Sequence, residues 1–293
     1  MRLHHRPLYA LTCVKHTKLL KFGTEFSSKD DEDVPLSLSQ AIRANDVAAV
    51  TQALQRGVNP SEFEEGGTTT PLVEAAVRGY VDIMEVLLLH GASPFLSDIL
   101  YNTALHWAVA NCHMDCVVLL LDYGITMGRV NGSLRNPLML AAYYGHEKIA
   151  QCLIDRGAEV GWPVSEHYES ALTIASEKGH VEIAKILLKA GHNDQDRSKE
   201  LHIALIKAAS TGHLEVIKLL LDEGAEVNGC QYDSEIPIFA AINGGDLSIL
   251  KLLIAYHVDV EERNKEGYTP LMLAAQKGAA AMVTELIDVG KLK

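Results

Sequence analysis

One spacing dominates this chain of 293 residues. A leucine or isoleucine that opens a short Pro-Leu-x-x-Ala-like run recurs at Leu38, Leu72, Leu105, Leu138, Leu172, Leu205, Ile238 and Leu271. The intervals are 34, 33, 33, 34, 33, 33 and 33 residues. Chance does not hold a period over eight units with two one-residue slips. A unit of this length cannot bury its own apolar face, so each must lean on its neighbours, and the chain is restricted to a linear stack.

Each unit follows one plan. Thr70, Thr103, Asn136, Ser170 and Thr269 precede the anchor, where a side-chain oxygen can cap a helix start. Pro71, Pro137 and Pro270 occupy the first helical position, where a missing N–H costs nothing. Three residues past every anchor stands alanine, from Ala41 to Ala274, which lets neighbouring helices approach closely. Seven past it stands glycine in six of the eight units, ending the helix at positive φ. A second helix follows at once, as in GHLEVIKLLLDEGAEVN, whose Val216, Ile217, Leu219, Leu220 and Leu221 form a wide apolar stripe. A second glycine series closes these helices, and His257 alone breaks it, which predicts local backbone strain. A short extended finger then leads to the next anchor.

The runs TTTPLVEAAVRGYVDIMEVLLLHGAS, TALHWAVANCHMDCVVLLLDYG and EGYTPLMLAAQKG resemble ankyrin repeats. The resemblance covers about Val34 to the C-terminus. It implies an all-α solenoid of about eight helix-turn-helix units with short β-hairpin fingers. ESALTIASEKGHVEIAKILLKAG is also similar to units of the large multiple-ankyrin, single-KH-domain scaffold proteins, as are the charged residues two past the anchor, Glu74 and Lys207. A KH domain needs a G-x-x-G loop, and no two glycines here are three apart, so nothing of that domain carries over. The first repeat is the more polar and suits a cap. The last ends just after its second helix, where fraying or a covering partner is expected.

Residues 1–33 stand apart. The first 23 carry Arg2, Arg6, Lys15, Lys18 and Lys21 and no acidic residue, and an acid-rich SSKDDEDVP follows. A disordered tail is the preferred reading over an organelle presequence, because the segment lacks serine richness. Ser27 and Ser28, placed before acidic residues, are candidate phosphorylation sites, with a plain solvated linker as the alternative. The repeat domain is placed at 34–293. The net charge of −12 argues against direct nucleic-acid binding. No apolar run approaches the roughly 20 residues of a membrane span. Five unevenly spaced cysteines do not make a disulfide framework and point to a reducing compartment, the cytoplasm or the nucleus.

The search for chemistry finds little. Cys112 and Cys116 in CHMDC resemble a metal pair, but no second pair follows, and Cys116 falls at a core position. His146, His180 and His213 follow turn glycines, and the resemblance gives them a structural bond to the turn backbone. His106 with Thr103 matches the family's T-x-L-H arrangement, also a hydrogen-bond device. No P-loop, G-x-S-x-G or kinase motif is found. The chain reads as non-enzymatic, with no cofactor and no metal. By resemblance, Asn228 in LLDEGAEVN matches the substrates of an asparaginyl hydroxylase; the alternative is that it ties down its loop.

The resemblance places partner binding in a concave groove made by the fingers and the ends of the first helices, five and six past the anchor. Arg78, Asn111, Tyr143, Tyr144, Glu177 and Lys178 fall there, with Arg135, His167 and Tyr168 on nearby fingers. Two adjacent tyrosines where no core requires them suggest a contact surface, since tyrosine gives large area at small entropic cost. Stacking on neighbouring repeats is the alternative. Trp107 is expected in the core; Trp162 fits either place. The function expected is a monomeric protein-binding scaffold or adaptor. The second reading is a substrate receptor or regulatory subunit of an enzyme complex such as a ubiquitin ligase, which is expected to carry a box motif after the repeats; none stands before Lys293.

Overall fold

Helix pairs recur through the chain at the spacing of the anchors. The computed structural model describes residues 36–63, 67–161, 169–191, 197–228 and 235–290. The first helices of successive pairs are α1 (Leu38–Arg43), α3 (Pro71–Arg78), α5 (Ala104–Ala110) and α7 (Pro137–Tyr144). They continue as α9 (Ala171–Lys178), α11 (Arg197–Thr211), α13 (Pro237–Gly244) and α15 (Pro270–Gln276). The second helices are α2 (Val47–Gln55), α4 (Val81–Leu89), α6 (Met114–Asp122) and α8 (Glu147–Asp155). α10 (Val181–Ala190), α12 (Leu214–Asp222), α14 (Leu247–Ala255) and α16 (Ala280–Gly290) complete that layer. First helices pack on first helices of adjacent units, and second helices on second from α2 to α6 and from α8 to α16, so the array is two helical layers with one continuous core. Residues from Leu36 onward form one contact unit. The tail at 1–33, with Ser27 and Ser28, lies outside the described residues, as do Trp162, His167 and Tyr168.

The caps act as the sequence suggests. Asn136 Oδ1 accepts from the Met139 amide at 2.8 Å, Ser170 Oγ from Thr173 at 3.1 Å, and Thr70 and Thr269 do the same for their helices. The alanine three past the anchor is fully buried in all eight units. First helices meet across these methyl groups, so the side chain there sets their separation.

A second device ties each unit to the one before it. His113, His146, His180 and His213 aim Nε2 at the carbonyl oxygens of Val77, Ala110, Tyr143 and Glu177, at 3.1, 3.2, 3.4 and 2.9 Å. These carbonyls end the preceding unit's first helix. The bond therefore crosses between repeats rather than closing the histidine's own turn, and it requires the proton on Nε2. It also explains three glycines twice over. Gly79, Gly145 and Gly179 have φ near 75–79°, and a Cβ on each would lie 2.5–2.7 Å from the next unit's histidine ring. Gly157, at φ 87°, faces open space. Cys112 and His257 take left-handed φ of 60° and 62°, so the strain expected at His257 has a companion at Cys112.

Two features differ from expectation. Among the described residues the fingers are not β-hairpins: one isolated antiparallel bridge, Ser97 to Thr103, is present. The tips are tight turns closed by backbone bonds, such as the Asp98 amide to the Asn102 carbonyl at 2.9 Å, and reinforced by side chains. Asp98, Asn131 and Asn264 each accept two backbone amides, two and four residues on, so side-chain and backbone bonds together close a turn too short to form a strand ladder. Before the sixth anchor the finger gives way to helix. α11 already runs at Arg197, the first described residue after 191, and no proline or glycine interrupts KELHIAL on the way to the anchor. Its buried His202 places both ring nitrogens 3.1 Å from carbonyl oxygens, those of Glu226 and Glu235, and so holds both sides of the following loop.

These contacts set two expectations for urea unfolding. Ala141→Leu should destabilise by about 1–3 kcal/mol through overpacking of α5, α7 and α9. Gly145→Ala should cost about 1 kcal/mol more than Gly157→Ala, because only the former displaces a histidine and its hydrogen bond.

Candidate functional site

The ends of the first helices and the fingers form one face of the array, and the residues expected there divide into two groups. The first is a chain of charges around Tyr143. Arg135 lies 4.4 Å and Lys178 4.8 Å from the centre of its ring. Arg135 pairs with Glu169 at 3.4 Å, and Glu177 pairs with Lys178 at 3.3 Å and Lys207 at 3.7 Å. Tyr143 is half-buried, and its cation–π contacts join the finger before α7 to the end of α9. Those contacts match the stiffening alternative for this tyrosine.

Tyr144 is placed differently. Its side chain is 49% exposed, edge-on to Tyr143 at 5.0 Å and stacked on His146 at 5.9 Å. It lines a 150 Å³ depression with Trp107, Asn102 and Arg135. Asn111 is exposed but already donates to the Val77 carbonyl at 3.2 Å, beside the bond from His113. Asn228 Oδ1 accepts from the Asp259 amide at 2.8 Å, the loop-tying contact given above as the alternative to hydroxylation.

Trp107, expected in the core, is not fully there. It packs against the core but is half-buried, and its indole N–H donates to Asp98 Oδ2 at 2.7 Å. It stands as the shared wall between the depression at Tyr144 and a larger cavity of about 570 Å³. Arg43, Arg78, Glu74 and Leu100 also line that cavity. Glu74 is buried, and its Oε1 meets Arg43 at 2.9 Å and Arg78 at 3.0 Å, a shared carboxylate that joins the first two repeats. The groove therefore extends toward the N-terminal repeats beyond the patch expected from the tyrosines. The sequence pattern does not single out Arg43, Trp107 or the finger containing Leu100 as surface groups. One signal is present: the register two past the anchor holds Lys207 in another unit, and a position that carries a lysine borders solvent.

The remaining titratable candidates are structural. His106 accepts from the Thr103 amide through Nδ1 at 3.2 Å and donates from Nε2 to the Arg129 carbonyl at 3.0 Å. Burial holds its pKa down at about 4, so the ring is neutral and works as a pin between α5 and the following finger. Cys116 is buried and its thiol is pushed up to about 11, chiefly by burial and secondarily by Asp115, which suppresses the thiolate a nucleophile or metal ligand needs. Cys112 lies exposed on the turn.

Comparison with known proteins agrees with this architecture. A model of ankyrin repeats (3 copies) matches residues 91–162, 161–230 and 227–292, and a single ankyrin-repeat model matches 69–99. The chain belongs to the ankyrin-repeat family, whose arrays are protein-interaction modules. It is 36% identical over 128 residues, 43% of this chain and 5% of the relative, to an ankyrin repeat and KH domain-containing protein of Caenorhabditis briggsae. It is 31% identical over 166 residues to a putative ankyrin repeat protein of fowlpox virus, covering 56% of this chain and 37% of that one. The ankyrin repeat domain of human ASB11 superposes with a TM-score of 0.64 at 27% identity, covering 73% of this chain and 97% of that domain. The chain spans well under half the length of those two curated relatives. Among the described residues no helix is long and apolar enough to cross a membrane.

His106 makes the pH dependence predictable. Its folded pKa lies below its unfolded value of about 6.5, so the unfolded chain takes up the proton first. The stability that neutral His106 contributes, up to about 3 kcal/mol, should be lost as pH drops from about 6.5 to 4, with no further loss from this residue below. Urea midpoints across that range should fall less steeply for His106→Asn, which cannot titrate there.

Proposed function

We propose that the chain is a non-catalytic adaptor, monomeric and located in the cytoplasm or nucleus, that binds a partner protein along the face formed by its first-helix ends and fingers. The observation that carries this reading is the pair Trp107 and Tyr144. Both border one groove, and Tyr144 keeps half its surface exposed although its neighbour Tyr143 is taken up by internal contacts. Aromatic side chains left open beside a depression are the anchors that protein interfaces use. Arg78, Lys178 and Asn111 at the same helix ends supply polar rim contacts. His167 and Tyr168 belong to this proposal by their place in the sequence.

A second reading has one observation in its favour. The likeness to the ASB11 ankyrin domain, together with 32% identity over 111 residues to human ankyrin repeat and SOCS box protein 16, favours a substrate-receptor role in an enzyme complex such as a ubiquitin ligase. In that case the same groove holds the substrate.

The test is proximity labelling and affinity capture in cells with the wild type and Tyr144→Ala. Tyr143 is left intact because it is part of the internal charge chain. Loss of a defined set of partners from Tyr144→Ala, at unchanged thermal stability, is the expected result. An identical partner list from both forms would remove the groove as the site. Ligase core subunits retained by both forms, with substrates lost only from the variant, would select the second reading.

A further inference from the structure

The depression beside Tyr144 has two aromatic walls, and both are fixed in place. The Trp107 indole is held by its 2.7 Å bond to Asp98 Oδ2. The Tyr144 ring is edge-on to Tyr143 at 5.0 Å and stacked on His146 at 5.9 Å. His146 is itself tied to the Ala110 carbonyl at 3.2 Å, which couples the stack to the end of α5. Leu140 and Ala110 add apolar surface to the same depression. Rings that the free protein already orients lose little freedom when a ligand packs on them.

The polar groups of the depression are unevenly committed. Asn131 Oδ1 accepts the Ser133 and Arg135 amides, and its Nδ2 donates to Asn102 Oδ1. His106 uses Nδ1 for the Thr103 amide and Nε2 for the Arg129 carbonyl. The Ala110 carbonyl already receives His146. These acceptors serve the fold. The groups left to an incoming molecule are the hydroxyls of Ser133 and Tyr144 and the Arg135 guanidinium, which only donates. Arg135 gives Nε and Nη2 to Glu169 at 3.4 Å, and among the described residues its Nη1 has no further partner. Its charge is therefore balanced, and a carboxylate or phosphate finds no unpaired cation here. The depression is rich in donors and poor in acceptors, without a net charge to select an ion.

That balance disfavours an ordinary peptide segment. Each ordinary residue brings one backbone N–H with every carbonyl, and an N–H buried without an acceptor is costly. Proline brings the carbonyl without the N–H. A polyproline II segment makes no internal hydrogen bonds, so its carbonyls are available to donors from outside. Its rings pack on aromatic side chains, which is how such segments are recognised. The volume of about 150 Å³ suits a single ring rather than the face of a helix.

We propose that the depression walled by Trp107 and Tyr144 receives a proline from an extended, polyproline II segment of the partner protein. The proline ring lies against the two aromatic side chains, and the neighbouring carbonyls accept from Ser133, Tyr144 and Arg135. This rests on the protein-binding reading above and names the chemistry of the partner.

The probe is a phage library of random peptides selected against the full chain, followed by fluorescence polarisation with the enriched sequences. Enrichment of proline at one fixed position is the expected result. Replacing that proline by alanine should weaken the peptide about tenfold or more, and N-methylalanine, which also lacks the N–H, should recover part of the loss. On the protein, Tyr144→Phe and Ser133→Ala each remove one hydroxyl and should weaken binding about three- to tenfold. Tyr144→Ala should weaken it about tenfold or more. Ser133 is exposed, so its variant tests the site without disturbing the core. Proline peptides indifferent to Tyr144→Ala and Ser133→Ala bind elsewhere and overturn the proposal. Equal binding by the proline, alanine and N-methylalanine peptides overturns it too. Enrichment of acidic peptides that Arg135→Gln loses would make this an anion site and likewise overturn it. Peptides that lack proline but need Tyr144 would keep the groove and remove the proline assignment. If nothing is enriched while Tyr144-dependent capture in cells persists, the proline assignment falls and the groove stands; loss of both removes the groove as well.

Discussion

Everything in this molecule depends on how closely one helix pair can approach the next. The buried alanine three past each anchor brings the first helices into contact, and the cross-repeat bond from the turn histidines fixes their ends. The two devices need each other. A larger residue than alanine would hold the helices apart and lengthen the histidine bonds. A side chain in place of Gly79, Gly145 or Gly179 would collide with the histidine ring. The ladder ends at the seventh unit, where Asp246 replaces the histidine and caps its own helix instead. The eighth unit has no described helix beyond it. Its anchor Leu271 and the adjacent Met272 are consequently exposed, where their counterparts in the inner units are buried.

That division of roles frees one face. Core contacts and caps consume the anchor, the residue after it and the alanine. Positions five and six past the anchor, together with the finger tips, carry no such duty, which is why chemistry varies there from unit to unit. In the middle of the array they hold an internal charge chain through Arg135, Tyr143, Lys178 and Glu177. Toward the N-terminal end they hold two arginines on one buried carboxylate and an apolar finger. A solenoid can carry such different surfaces because each repeat is stabilised by its neighbours and not by a shared centre.

Polar groups inside the array serve the same stacking. His106 is neutral and commits both nitrogens to backbone partners, while His202 holds the two sides of one loop. Buried polar atoms with assigned partners specify register between units in a stack whose apolar faces are otherwise nearly interchangeable. Such register is what keeps the exposed residues of successive units on one face.

The period, the caps, the alanines and the glycine stops follow from local rules, and the sequence by itself determined the helix pairs, their number and the strain at His257. It also marked the helix ends from which Tyr143 and Tyr144 project. Their separation into one internal and one outward-facing ring was decided by the tertiary structure, because Arg135 comes from a finger and Lys178 from the next repeat. The same holds for Trp107, whose partner Asp98 lies across a turn, and for the target of each turn histidine, which sits 36 or 37 residues earlier in the chain. The fingers escaped the sequence reading for a related reason. Their tips are set by side-chain and backbone bonding together, and their exposure depends on what the neighbouring units leave uncovered. Periodicity reports which residues a unit must bury; only the stacked units decide which of the others remain in reach of a partner.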